Sequence, residues 1–106
     1  MRIWTTIFAI LMVAGQPDLA ASAAPGDPAN GKRLAVLWCA SCHLVSAEQA
    51  TTTTEAPPFA TIAQETPEAV ARLEKFLANP HPPMPQLSLT RPEIRDLVAY
   101  IASLGD

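Results

Sequence analysis

Cys39-Ala40-Ser41-Cys42-His43 places both cysteines of the chain and one of its two histidines within five residues. Thiols three residues apart share a helical face, so both can reach the two vinyl groups along one edge of a haem and form thioethers. His43, next in line, is then carried beneath the iron as the proximal ligand. Two cysteines in an exported chain have other uses: a disulfide, half of a zinc site, or a thioredoxin-type redox pair. Zinc asks for four ligands, and the two Cys and two His stand at spacings unlike the usual fingers. A thioredoxin pair asks for a βαβ context, which the pattern of the chain does not offer.

The sixth position of a haem iron sets what the iron can do. Of three methionines, Met1 and Met12 fall in an N-terminal apolar stretch that reads as a leader, so Met84 is the thioether left for the folded domain. His81-Pro82-Pro83-Met84-Pro85 is stiffened by proline and can hold a side chain with little entropy left to lose. A gap-filling core methionine is the plainer use of this residue type. His81 is the rival ligand, and its plainer role is an exposed loop histidine.

The elements that must position these groups read as helices. Asp27-Pro28 is a cap followed by a first-turn proline, and one helix is expected from there to His43, with Leu34, Leu37, Trp38 and Ser41 at helical spacing. Leu44 to Ala56, with four threonines from Thr51 to Thr54, lacks an alternating apolar face and reads as a solvated loop. A short helix is expected behind Pro57-Pro58-Phe59. Thr66-Pro67-Glu68 opens another, carrying Val70, Leu73, Phe76 and Leu77, which must stop by Asn79 because prolines crowd the next six positions. Thr90-Arg91-Pro92-Glu93 is a capping box opening a last helix through Ile94, Leu97, Val98, Ile101 and Leu104. Three to four helices and no credible strand pair make the fold class all-α.

Met1-Arg2, the apolar run Ile3 to Ala14 and the small residues Ala21-Ser22-Ala23 have the form of a secretory signal, which sets residues 1–23 apart from a single domain at 24–106. The run is shorter than the roughly 17 to 25 residues a membrane span needs, so cleavage is expected, with an uncleaved tether as the alternative. Arg2 and Asp18 cancel, so the domain keeps the whole chain's formal charge of −3. That balance, with scattered basic residues, argues against nucleic acid and anionic membrane as partners. A domain this small builds only a marginal apolar core, and a covalently attached haem would thicken it.

On the attachment motif, the methionine loop and the flanking helices, the chain resembles the class I c-type cytochromes, in particular small bacterial monohaem forms. The resemblance spans essentially all of residues 24–106. It implies a cytochrome c-like fold of three to four helices around one haem c, attached through Cys39 and Cys42, with iron held by His43 and Met84. Gly31 with Leu97 and Tyr100 looks like the family's contact between first and last helices, with Ala35 where many members carry an aromatic. Pro57 matches the proline whose carbonyl accepts a hydrogen bond from the proximal imidazole, although Ala56 replaces the usual glycine and Pro58 follows. Trp38, Tyr100 and Arg91 could reach haem propionates; core aromatics and a solvated charge are their plainer roles. The implied function is a monomeric periplasmic electron carrier, not an enzyme, that meets redox protein partners and has no stable place in a membrane. A haem-bearing subunit of an oxidoreductase, a haem catalyst, or a gas sensor with a vacated sixth position are the competing readings.

Overall fold

The computed structural model describes Gly15 and residues 26–106; the expected leader and its cleavage point otherwise lie outside the described residues. Five helical segments follow in order: α1 (Pro28–Trp38), α2 (Phe59–Ala63), α3 (Pro67–Ala71), α4 (Leu73–Ala78) and α5 (Arg91–Ser103). No strand occurs among the described residues, and the all-α expectation holds.

The starts are where the caps place them. Asp27 accepts the amide of Ala29 at 3.0 Å at the head of α1. Thr66 accepts that of Ala69 at 3.2 Å at the head of α3. At α5 the capping box is complete: Thr90 Oγ1 accepts the Glu93 amide at 3.3 Å, and Glu93 Oε2 accepts the Thr90 amide at 2.8 Å. Such reciprocal caps satisfy amides that a helix leaves without partners.

Two helices differ from expectation. The one expected between Thr66 and Asn79 is broken at Arg72, whose amide is shared between the carbonyls of Glu68 and Ala69 at 3.2 Å each. Sharing a donor between three- and four-residue partners tightens the turn and divides the helix. The first helix stops at Trp38 instead of reaching His43, because the Ala40 amide reaches back five residues to Ala35 at 3.0 Å, while Cys39 also bonds Ala35 at 2.8 Å. This lengthened turn moves the following residues off the helical register.

Helix α5 is the platform on which α1, α2, α3 and α4 pack. Its buried stripe is Ile94, Leu97, Tyr100 and Ile101, of which the last three meet Leu34, Ala35, Cys39, Val45 and Phe59 in one core. Expected core positions Leu37 and Trp38 are instead 61% and 57% exposed; the buried face of α1 is Gly31, Leu34 and Ala35. The reason is the close crossing at Gly31, which turns that face toward α5. A Cβ there would overlap the Asp96 carbonyl and fall 2.7 Å from Tyr100 Cβ. Ala35, fully buried at 0% exposure, keeps the helices close where a ring would hold them apart.

Asp96 fastens the same crossing from α5. Its Oδ1 accepts the Asp27 amide at 2.7 Å and its Oδ2 accepts Asn30 Nδ2 at 2.6 Å. The Asn30 side chain first, then the Asp27 backbone, hold the Asp96 carboxyl below the usual carboxylate range.

Gly31→Ala should therefore force the two helices apart and cost about 1–3 kcal/mol, as overpacking does, read as a lower urea midpoint. Because the Asp96 carboxyl is depressed in the folded state, its contribution is present above the ordinary carboxylate range and is lost as pH falls through the lowered value. Asp96→Asn should flatten that acid limb of stability, measured as denaturation midpoints across a pH series.

Candidate haem-binding turn

Beyond Trp38 the chain forms a compact turn in which the amides of Cys42 and His43 both bond the Cys39 carbonyl, at 3.1 and 2.9 Å. Cys39, Cys42 and His43 are thereby gathered in one structural unit. Both thiols are free; Cys39 is buried in the core and Cys42 is half-buried. Burial, with the neighbouring Cys42 adding to it, pushes the Cys39 thiol up to about 11, so it remains protonated at neutral pH.

The imidazole of His43 is set by its surroundings. Its Nδ1 lies 2.6 Å from the carbonyl oxygen of Pro57. A carbonyl only accepts, so Nδ1 carries a proton, and in the neutral ring this leaves Nε2 with its lone pair, the state a metal-ligating histidine requires. Pro57, and not Pro58, supplies the oxygen. Phe59 stands behind the ring at 5.3 Å and leads on to Tyr100 at 6.4 Å, both tilted pairs. The Phe59 amide bonds the Leu44 carbonyl at 2.9 Å, which ties the proline segment to the end of the turn.

Loop side chains complete the turn in a way the sequence reading did not find. The threonine run lies against it: Thr53 Oγ1 donates to the Ser41 carbonyl and Thr54 Oγ1 to that of Cys42, each at 2.7 Å. Gln49 Nε2 donates to the carbonyls of Ala40 at 2.8 Å and His43 at 2.9 Å. Local pattern carries no signal of these bonds, since they depend on how the loop folds back. A loop is the correct class for residues 44–56, but it is not solvated throughout: Val45 is buried in the core, and the loop's hydroxyls and carboxamide bond the turn.

Met84 is half-buried on the connection between α4 and α5. Its amide bonds the His81 carbonyl at 3.1 Å, closing a bend over Pro82 and Pro83, which are joined by a cis peptide. His81 is exposed and lies 5.2 Å from the Phe76 ring. Of the residues considered for propionates, Tyr100 is buried and its hydroxyl donates to the Val45 carbonyl, whereas Trp38 and Arg91 are exposed. Trp38 is therefore not the core aromatic that its plainer role supposed.

Two open grooves lie elsewhere, one of about 560 Å³ along Ala29, Lys32, Arg33, Val36 and Leu37, the other of about 260 Å³ along Lys75, Phe76, Asn79 and His81. Neither lining includes Cys39, Cys42, His43 or Met84. No group of three or more His, Cys, Asp or Glu able to hold a metal ion occurs among the described residues. The donor set fits a haem: two free thiols, and an imidazole in the ligand tautomer on the same turn.

This chain belongs to the cytochrome c family, whose model matches residues 28–105. Membership brings haem c as the cofactor and electron transfer, in place of catalysis, as the activity. The chain is 40% identical over 95 residues to a protein named cytochrome c-552 from Bradyrhizobium diazoefficiens, across 90% of this chain and 91% of that one. No solved structure matches.

Tyr100→Phe should leave the carbonyl of fully buried Val45 without its donor and cost about 1–3 kcal/mol, measured by urea denaturation. A variant as stable as the parent would show that this hydrogen bond is replaceable.

Proposed function

We propose that this chain is a periplasmic one-electron carrier in which Cys39 and Cys42 hold haem c covalently while His43 and Met84 are the axial iron ligands. The observation that carries the reading is the 2.6 Å contact between His43 Nδ1 and the Pro57 carbonyl, because it leaves Nε2 free to ligate one residue beyond a pair of unpaired thiols. Haem c, when bound, supplies an Fe(III)/Fe(II) couple that takes up and gives out one electron.

The chain's own residues do the rest. Cys39 and Cys42 would hold the haem through thioethers, with no net oxidation, since a thiol adds to a vinyl group as sulfur and proton together. His43 gives a basic nitrogen held in one orientation by Pro57. Met84 gives a soft thioether, which favours Fe(II) and raises the reduction potential. With both axial positions filled from the chain, no position remains for a substrate, which favours a carrier over a catalyst or sensor. Phe59, 5% exposed, keeps water from the back of the His43 ring. Residues 1–23 serve as the export signal, and the carrier works as a monomer that meets its redox partners by brief docking. No helix among the described residues is long and apolar enough to cross a membrane.

The purified protein should keep its haem through denaturing electrophoresis and acid-acetone extraction, and Cys42→Ala should leave at most one thioether. The ferric protein should show the weak near-infrared band of sulfur ligation. Met84→Ala should abolish that band, lower the reduction potential and admit CO to the reduced iron, while His81→Ala should do none of these. Haem that extracts freely, or a parent protein that is high-spin and binds CO, would overturn the reading.

A further inference from the structure

The Cys39–His43 turn has a weakness that its own backbone cannot repair. Because the helix gives way after Trp38, the carbonyls of Ala40, Ser41, Cys42 and His43 do not meet the amides that a continued helix would bring them. Gln49 answers at both ends. Its Nε2 donates to Ala40 at 2.8 Å and to His43 at 2.9 Å, with the Thr51 carbonyl at 3.2 Å as a third acceptor. Its Oε1 accepts the Val45 amide at 2.9 Å. Three carbonyls on one side and an amide on the other allow one orientation of the carboxamide only.

We propose that Gln49 is a positioning residue for the proximal iron ligand: its carboxamide spans the haem-binding turn from Ala40 to His43 and fixes the backbone from which the imidazole is presented. This rests on the reading of Cys39, Cys42 and His43 as haem-binding residues. His43 is then held at two points, its ring by the Pro57 carbonyl and its main chain by Gln49. The same carboxamide anchors Val45, which is 1% exposed and whose carbonyl accepts the Tyr100 hydroxyl. The ligand backbone is thus braced on α5 through Gln49 and Val45. Glutamine is specific to the task. Glutamate keeps the length but has no donor for the two carbonyls, and methionine keeps the length with neither donor nor strong acceptor.

The test compares Gln49→Met and Gln49→Glu with the parent holoprotein, and with Asp96→Asn, which weakens the remote α1–α5 crossing without touching the turn. Thermal midpoint, reduction potential and the proton shifts of the iron-bound imidazole are measured for each. Both Gln49 variants should move the imidazole shifts and the potential at a stability loss where Asp96→Asn moves neither, and the added charge of Gln49→Glu should lower the potential. Variants that match the parent in both readouts, or change only as Asp96→Asn does at equal stability, would overturn the proposal. If neither variant accumulates with haem, exchange of the Gln49 carboxamide protons in the parent decides: protection supports the brace and free exchange removes it. A parent that holds no covalent haem removes the site itself, whereas a haem-bearing parent with indifferent variants removes Gln49 alone.

Discussion

A buried or half-buried carbonyl must find a donor, and those of Ala40 and His43, at the two ends of the turn that follows α1, are of that kind. Leaving such groups unpaired costs about 1–3 kcal/mol each, a large share of what a domain of this size has to spend. Much of the architecture can be understood as the answer to that demand. Gln49, Thr53 and Thr54 supply the donors, which obliges the loop from Leu44 to Ala56 to fold back against the turn. The folded-back loop in turn delivers Pro57, whose carbonyl sets the His43 ring, and Phe59, which packs behind it.

The second support is the crossing of α1 and α5. Gly31 and Ala35 leave so little between the helices that main chain meets main chain, and Asp96 fastens the start of α1 through two hydrogen bonds. Tyr100 links this crossing to the turn: its ring lies against Phe59 and its hydroxyl reaches the Val45 carbonyl. The Cys39–His43 turn is therefore braced on α5, although none of the proposed iron ligands comes from that helix. By comparison the exposed Lys32–Glu48 pair, 3.6 Å apart, adds little, since surface ion pairs are worth under about 1 kcal/mol.

The electron carrier and its competitors differ in what occupies the second axial position. The structure holds the proximal side firmly and places Met84 on a bend closed by its own amide and the His81 carbonyl. Prolines on both sides reduce the entropy that such a bend loses on ordering, which suits the ligand role proposed for Met84. His81 is exposed and lies against the Phe76 ring.

The sequence alone pointed to the chemistry and located the starts of α1, α3 and α5. Thiol spacing, an adjacent imidazole, Asp-Pro and Thr-Pro caps and the Thr90–Glu93 box are all local, and local geometry decides what each can do. The close approach at Gly31 and the partner of the His43 ring were legible through resemblance, because both depend on side-chain size or carbonyl position at single residues. Tertiary structure alone decided the end of α1 at Trp38, the break at Arg72, the exposure of Leu37 and Trp38, and the employment of Gln49 and the threonines. Each of these turns on contacts between residues distant in the chain or on competition among several acceptors for one amide. Helical periodicity counts apolar residues without knowing which face another helix will cover. A threonine run looks solvated until the loop closes on carbonyls twelve residues earlier.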